Sequence, residues 1–443
     1  MKADIRVAWI LARAAGPRER WRTSLTSLGA LSATGFALAA ITVAAIPGQV
    51  SIPYAHGLLD RPGERAGIAF SLVLLLIPVL AFLGQCARIG AVHRDRRTAG
   101  MRLAGATARQ VRRIAGAESA LACLVGSVTG LGVFAVLLAV TGHSPRPLVW
   151  AAFGAVVLLV PLLAAAVSVL ALRRVISSPL GHFRRTTPGR GRGTVLGFLL
   201  AALLIATAAL LVLLPRGGAA LMPLLVLALV LLTGAGALWT VGASAALIGR
   251  KLTHRAKHPS VLIAAARLAH DPWAAARTHA ALLLVTVVGV AFTGVRGVLL
   301  AELTGRQYPP GNLAFYTTGI DLAGAAVLTA LAISLCGLAV GAAESVATRR
   351  SGLAAQAAAG VPHRVLAMAT LLETALPLAP ALVLAGAGGA VVYLAYAAVV
   401  GNGFVPLLPL LVPFAIHAAC LLAAATSLPL LRRVSHPSEL RFT

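Results

Sequence analysis

The sequence predicts an all-α integral membrane protein: ten transmembrane helices, arranged as two parallel four-helix units joined by two linking helices, with both termini cytoplasmic. Three observations predict it. The chain holds ten long apolar segments, its basic residues gather on alternate linkers between them, and one basic linker recurs 255 residues later. Composition agrees, since 59% hydrophobic and 11% charged residues, with a mean hydropathy of +0.91, are far from a water-soluble globule.

A helix needs about 20 apolar residues to cross ~30 Å of hydrocarbon. The segments that meet this are 24–46, 66–87, 117–141, 148–172, 194–214, 219–248, 280–300, 319–343, 373–400 and 406–431. The first is too long for the apolar core of a cleaved leader and reads as an uncleaved anchor. Residues 219–248 contain Pro223, Gly234, Gly236 and Gly242, which soften the ends of that span.

Orientation follows from the linkers. Thirty-two of the 38 Lys and Arg residues lie in 1–23, 87–116, 173–193, 249–279, 344–372 and 432–443. The other linkers share only Arg61, Arg65, Arg146, Arg216, Arg296 and Arg306. Cytoplasmic loops retain basic residues, so those six segments are placed inside. The net charge of +26 is a topology signal, and its spread over six short loops speaks against a nucleic-acid partner. The domain reading is an interfacial helix (1–23), a first unit (24–172), a basic linker with spans five and six (173–248), a second interfacial segment (249–279), a second unit (280–431) and a tail (432–443). Arg outnumbers Lys 35 to 3, as a GC-rich bacterial genome would give.

The repeat carries the functional reading. The loop after span two runs through Arg94, Arg96, Arg97, Arg102, Gly105, Thr107 and Arg109 to Glu118. The loop after span eight runs through Arg349, Arg350, Gly360 and Arg364 to Glu373, so that Arg94, Gly105, Arg109 and Glu118 overlay Arg349, Gly360, Arg364 and Glu373. In each, an Arg pair marks the membrane edge and a helix-compatible run ends at a Gly able to turn the chain. An acid then enters the next span, where the helix dipole is expected to favour it. The product is a short helix beneath the membrane, joined to two spans and suited to passing force between a partner and the bilayer. The segments ahead of spans one and seven also correspond, Arg13 and Pro17 matching Arg267 and Pro272.

Other chemistry is scarce. No Gly-x-x-x-x-Gly-Lys-[Ser/Thr] loop occurs, the in-span Ser residues lack a readable His or acid partner, and no catalytic residue is assigned. His254 and His258 have i, i+4 spacing but no third ligand, so no metal is expected. Cys86, Cys123, Cys336 and Cys420 read as buried small hydrophobes. Arg296, Glu302 and Asp321 gather near the outer ends of spans seven and eight, as interfacial anchors or as contacts for a polar group of a substrate.

The loop motif, Arg102-Leu-Ala-Gly105-Ala-Thr107 followed by Glu118, resembles that of the FtsX-like permeases of ABC transporters, the macrolide-exporter and bacitracin-resistance type. Two departures stand out. The acid that follows the basic run in the family is Arg97 in one copy and Gly352 in the other, and only about 18 residues connect spans seven and eight where the bacitracin-resistance type has a large extracellular domain. The resemblance implies that 93–116 and 344–372 are coupling helices, and that two copies of a cytoplasmic ABC ATPase bring ATP and Mg while this chain binds no cofactor. It further implies a multi-pass permease of a bacterial cell membrane, in contact with lipid, that exports or extracts a hydrophobic or amphipathic compound. The alternatives are a force transmitter serving an envelope hydrolase or a sensor kinase, and a gradient-driven transporter.

Overall fold

The computed structural model describes residues 17–52, 55–88, 100–101, 103–177, 222–305, 310–401 and 405–434. Every regular element among them is helical. Among the described residues nine helical segments are long and apolar enough to cross a membrane, which supports a multi-pass membrane protein. The fifth expected span, 194–214, lies outside the described residues.

The chain divides into two compact units, Met1–Thr187 and Pro188–Thr443. Unit one contains α1 (Pro17–Ala44), α2 (Pro62–Leu74), α3 (Leu76–Arg88), α4 (Ala108–Val140) and α5 (Pro147–Ser177). The single span expected at 66–87 is two helices that meet at Leu75. Pro78 causes the break, because it has no N–H to return to the Leu74 carbonyl four residues back. Helices α1 and α4 approach closely: a Cβ on Gly126 would overlap the Ser27 carbonyl, and one on Gly130 would lie 3.1 Å from the Leu31 carbonyl. Ser27 Oγ fixes the crossing by donating to the Ala122 carbonyl at 2.8 Å. Lipid tails are as apolar as side chains, so such backbone contact supplies the packing between these helices. At the far end Phe153 is sealed under Leu38 and Leu138, edge-on to Phe134 at 5.7 Å.

Unit two contains α6 (Met222–Thr253), α7 (Pro259–His270), α8 (Pro272–Gly305), α9 (Pro310–Thr348), α10 (Arg350–Ala358), α11 (His363–Val400), α12 (Val412–Ala425) and α13 (Leu428–Val434). Span six, α6, packs into the core: Ala237 and Val241 join Leu282 and Leu283 of α8, Leu338 of α9, Leu378 of α11 and Cys420 of α12. Trp239 meets Trp273 edge-on at 5.4 Å, and Ser244 Oγ donates to the Pro377 carbonyl at 3.0 Å.

The spanning helices begin well before their apolar runs, at Pro17, Ala108, Pro272 and His363 rather than at 24, 117, 280 and 373. N-terminal prolines and caps set these starts, and long Arg side chains let the first turns project past the hydrocarbon. The repeat shows in the boundaries, since α1 and α8, and likewise α4 and α11, start 255 residues apart. Ahead of α8, where a short helix is expected, lies α7, with Ala264, Ala265 and Leu268 buried on one face. Its counterpart over 1–16 lies outside the described residues.

Candidate coupling site

Two elbows lie at the repeated loops. In copy two, α10 ends at Gly360, whose φ of +88° is open to Gly and strained for other residues. The Gly360 N–H donates to the Ala357 carbonyl at 3.0 Å and the Val361 N–H to the Gln356 carbonyl at 3.1 Å, a Schellman closure. Pro362 then caps α11. In copy one Gly105 has φ +92°, and the Ala106 N–H reaches the Met101 carbonyl at 2.9 Å, the same five-residue link at the equivalent position. A Cβ at either Gly would meet nothing within 4 Å, so backbone conformation and not space demands Gly. Thr107, at the position of Pro362, caps α4 in a capping box: the Gln110 N–H donates to Thr107 Oγ1 at 3.3 Å, and Gln110 Oε1 accepts from the Thr107 N–H at 2.8 Å.

The elbow of copy two is tied to the spans by apolar contact. Leu353 of α10 packs in one cluster with Val346 of α9, Leu366 of α11, and Leu431 and Val434 of α13. A push on α10 therefore acts on three neighbouring helices together.

Both repeated acids are ion-paired. Glu118 binds Arg22 of α1, with only 6% and 5% of the two side chains exposed. Glu373 accepts from Arg349 Nη1 at 2.8 Å through both oxygens, and Arg267 Nη1 stands 3.5 Å from its Oε2. Arg267 Nη2 also donates to Gln356 Oε1 at 3.3 Å, which links α7 to α10. Burial pulls the Arg267 guanidinium below its usual value, and the Glu373 charge opposes that pull. The expected dipole role for the two acids is not realised. Each is the eleventh residue of its helix, beyond the first turn where the dipole acts, because α4 and α11 start ten residues earlier. Their charges are balanced by Arg instead.

Arg109 and Arg364 stand exposed on the first turns of α4 and α11, and Arg350 opens α10. Arg94, Arg96, Arg97 and Arg102 lie outside the described residues. Sequence reasoning missed Arg22, Arg267, Gln356 and Leu103, the last 90% exposed beside Gly105. The match of Arg13 to Arg267 was the available signal for one of them.

The remaining candidates lie away from the elbows. Arg296 and Asp321 are exposed, Glu302 is half-buried, and no ion pair joins Arg296 to Asp321 among the described residues. His254 and His258 flank the α6–α7 turn and share no helix, since α6 ends at Thr253 and His258 caps α7. No group of three metal-ligating side chains occurs among the described residues. Cys336 is exposed, unlike the expected burial, whereas Cys86, Cys123 and Cys420 are buried.

Comparison with known families rests on the first elbow. Among curated proteins no match is found. Residues 68–180, which take in the elbow of copy one and the spans on either side of it, match the family model described as FtsX-like permease C-terminal, and this part of the chain is similar to that domain.

Proposed function

We propose that the chain is the membrane subunit of a bacterial ABC transporter, in which separate ATPase subunits dock at the two elbows. The carrying observation is the repeated geometry: two left-handed Gly turns at equivalent positions, each leading into a spanning helix held by an internal Arg–Glu pair. Leu103, 90% exposed outside the spans, and Arg109, exposed on the first turn of α4, present apolar and basic groups that a docking partner would bury. ATP and Mg stay with the partner. Closure of two ATPases would push both elbows and rock the helices of each copy, driving export or membrane extraction of a hydrophobic or amphipathic compound.

Co-expression with the ABC ATPase encoded beside it, followed by membrane pull-down and ATP hydrolysis, tests the reading. Wild type should retain the ATPase and couple its hydrolysis, and a Gly105→Pro/Gly360→Pro double variant should lose coupling, because proline cannot adopt positive φ. Failure of any such ATPase to bind, with the double variant behaving as wild type in cells, would leave a gradient-driven transporter as the better reading.

A further inference from the structure

The turn between α6 and α7 brings together Arg250, Lys251, Arg255 and Lys257, and all four side chains are exposed. His254 and His258, exposed as well, lie among them. The sequence offers no acid between Glu118 and Asp271, and among the described residues no carboxylate pairs with any of the four cations. Arg250 Nε donates to the Ala246 carbonyl at 3.1 Å, while Lys251, Arg255 and Lys257 hold no side-chain hydrogen bond among the described residues. The C-terminal dipole of α6 accounts for Arg250 and Lys251, which belong to its last turn. It does not account for Arg255 and Lys257, which lie beyond the helix. Lys257 even stands directly before His258, the N-cap of α7, where the dipole disfavours a cation.

Position along the chain decides the partner. Thr253 ends both α6 and a helical segment, Ala228–Thr253, long and apolar enough to cross a membrane. Lys257 follows after at most about 14 Å of chain. The turn folds back instead of reaching away, since the Arg255 and Ala256 N–H groups both donate to the Leu252 carbonyl, at 3.1 and 2.8 Å. The end of α6 is also pressed against α7, where a Cβ on Gly249 would lie 2.6 Å from the Ala269 nitrogen. The cations are thus held close to the end of an apolar helix, yet their side chains are not oriented by partners as they would be in a site shaped for one anion. Unoriented charge at such a place suits the diffuse negative charge of phosphodiester headgroups. We infer that the α6–α7 turn binds anionic phospholipids gathered around the end of α6. Anchoring there would fix the near end of α7, whose Arg267 reaches Gln356 of α10.

The full chain, with a bimane label on His254→Cys and with exposed Cys336 changed to Ser, would be reconstituted in phosphatidylcholine vesicles. Phosphatidylglycerol and phosphatidylcholine, each carrying a nitroxide near the headgroup and added at the same fraction, would then be compared as quenchers of the label. Quenching should favour phosphatidylglycerol by at least about fivefold, the factor one cation near an anionic surface supplies. The preference should collapse near 1 M salt, where charges are screened beyond ~3 Å. Lys251→Gln/Arg255→Gln/Lys257→Gln should bring the two lipids to parity without moving the melting temperature, since all three side chains are exposed. Lys251→Arg/Arg255→Lys/Lys257→Arg keeps every charge and should keep the preference. Equal quenching in the label-bearing parent, a preference that survives loss of the three charges, or one lost in the charge-keeping variant would overturn the proposal. A surviving lipid preference combined with lost ATPase retention in pull-down would make the turn a protein-docking surface instead.

Discussion

Copy one seals its repeated acid inside the helix pair, whereas copy two shares its acid between two guanidiniums, one of them partly exposed. Glu118 and Arg22 are about 95% buried between α1 and α4, and Arg349 beside Glu373 is 37% exposed. The described turns of the two elbows nevertheless share the five-residue hydrogen-bonded link and a glycine torsion of about +90°. The difference teaches that the shape of the elbow is set by glycine and cap, while its electrostatic anchorage is free to vary. Copy one has a fixed anchor, and copy two has one that solvent or a ligand can reach.

The largest expected effect breaks the sealed pair. Glu118→Ala leaves the Arg22 charge buried without its carboxylate and should destabilise unit one by about 3–5 kcal/mol, read as loss of folded yield or a large drop in melting temperature in detergent. Next comes the helix crossing. Gly126→Leu forces a side chain onto the Ser27 carbonyl and should cost about 1–3 kcal/mol, whereas Gly132→Leu, with nothing within 4 Å, should be close to neutral in the same melting assay. Glu373→Ala is the counterpart of the first change and should cost less, about 1–2 kcal/mol, since Arg349 can turn to solvent and Arg267, though largely buried, keeps Gln356. Equal losses for Glu118→Ala and Glu373→Ala would dissolve the contrast between the copies. The smallest effect is Leu103→Asp, which should leave the melting temperature unchanged and weaken ATPase retention in pull-down.

Much of this was legible in the chain. Apolar runs marked the nine candidate spans among the described residues, because bilayer thickness acts on composition directly. Gly105 and Gly360 were legible because positive φ leaves little choice of residue. What was hidden depended on distance along the chain. Arg22 is 96 residues from Glu118, and nothing in a lone basic residue before an apolar run says which acid it will meet. The helix starts were hidden as well, since Arg109 and Arg364 look like loop residues until caps at Thr107 and Pro362 place them on a first turn. Span six was read as a connector from its position in the order, while its packing against α8 and α11 comes from Ala237 and Val241, residues too common here to stand out.

The central claim is that the two elbows are equivalent docking points, and counting ATPases per chain tests it most directly. Native mass spectrometry of the co-purified complex should give two ATPases on the wild type and one on each single variant, Gly105→Pro and Gly360→Pro. A single ATPase on the wild type, or two on both variants, would contradict the account.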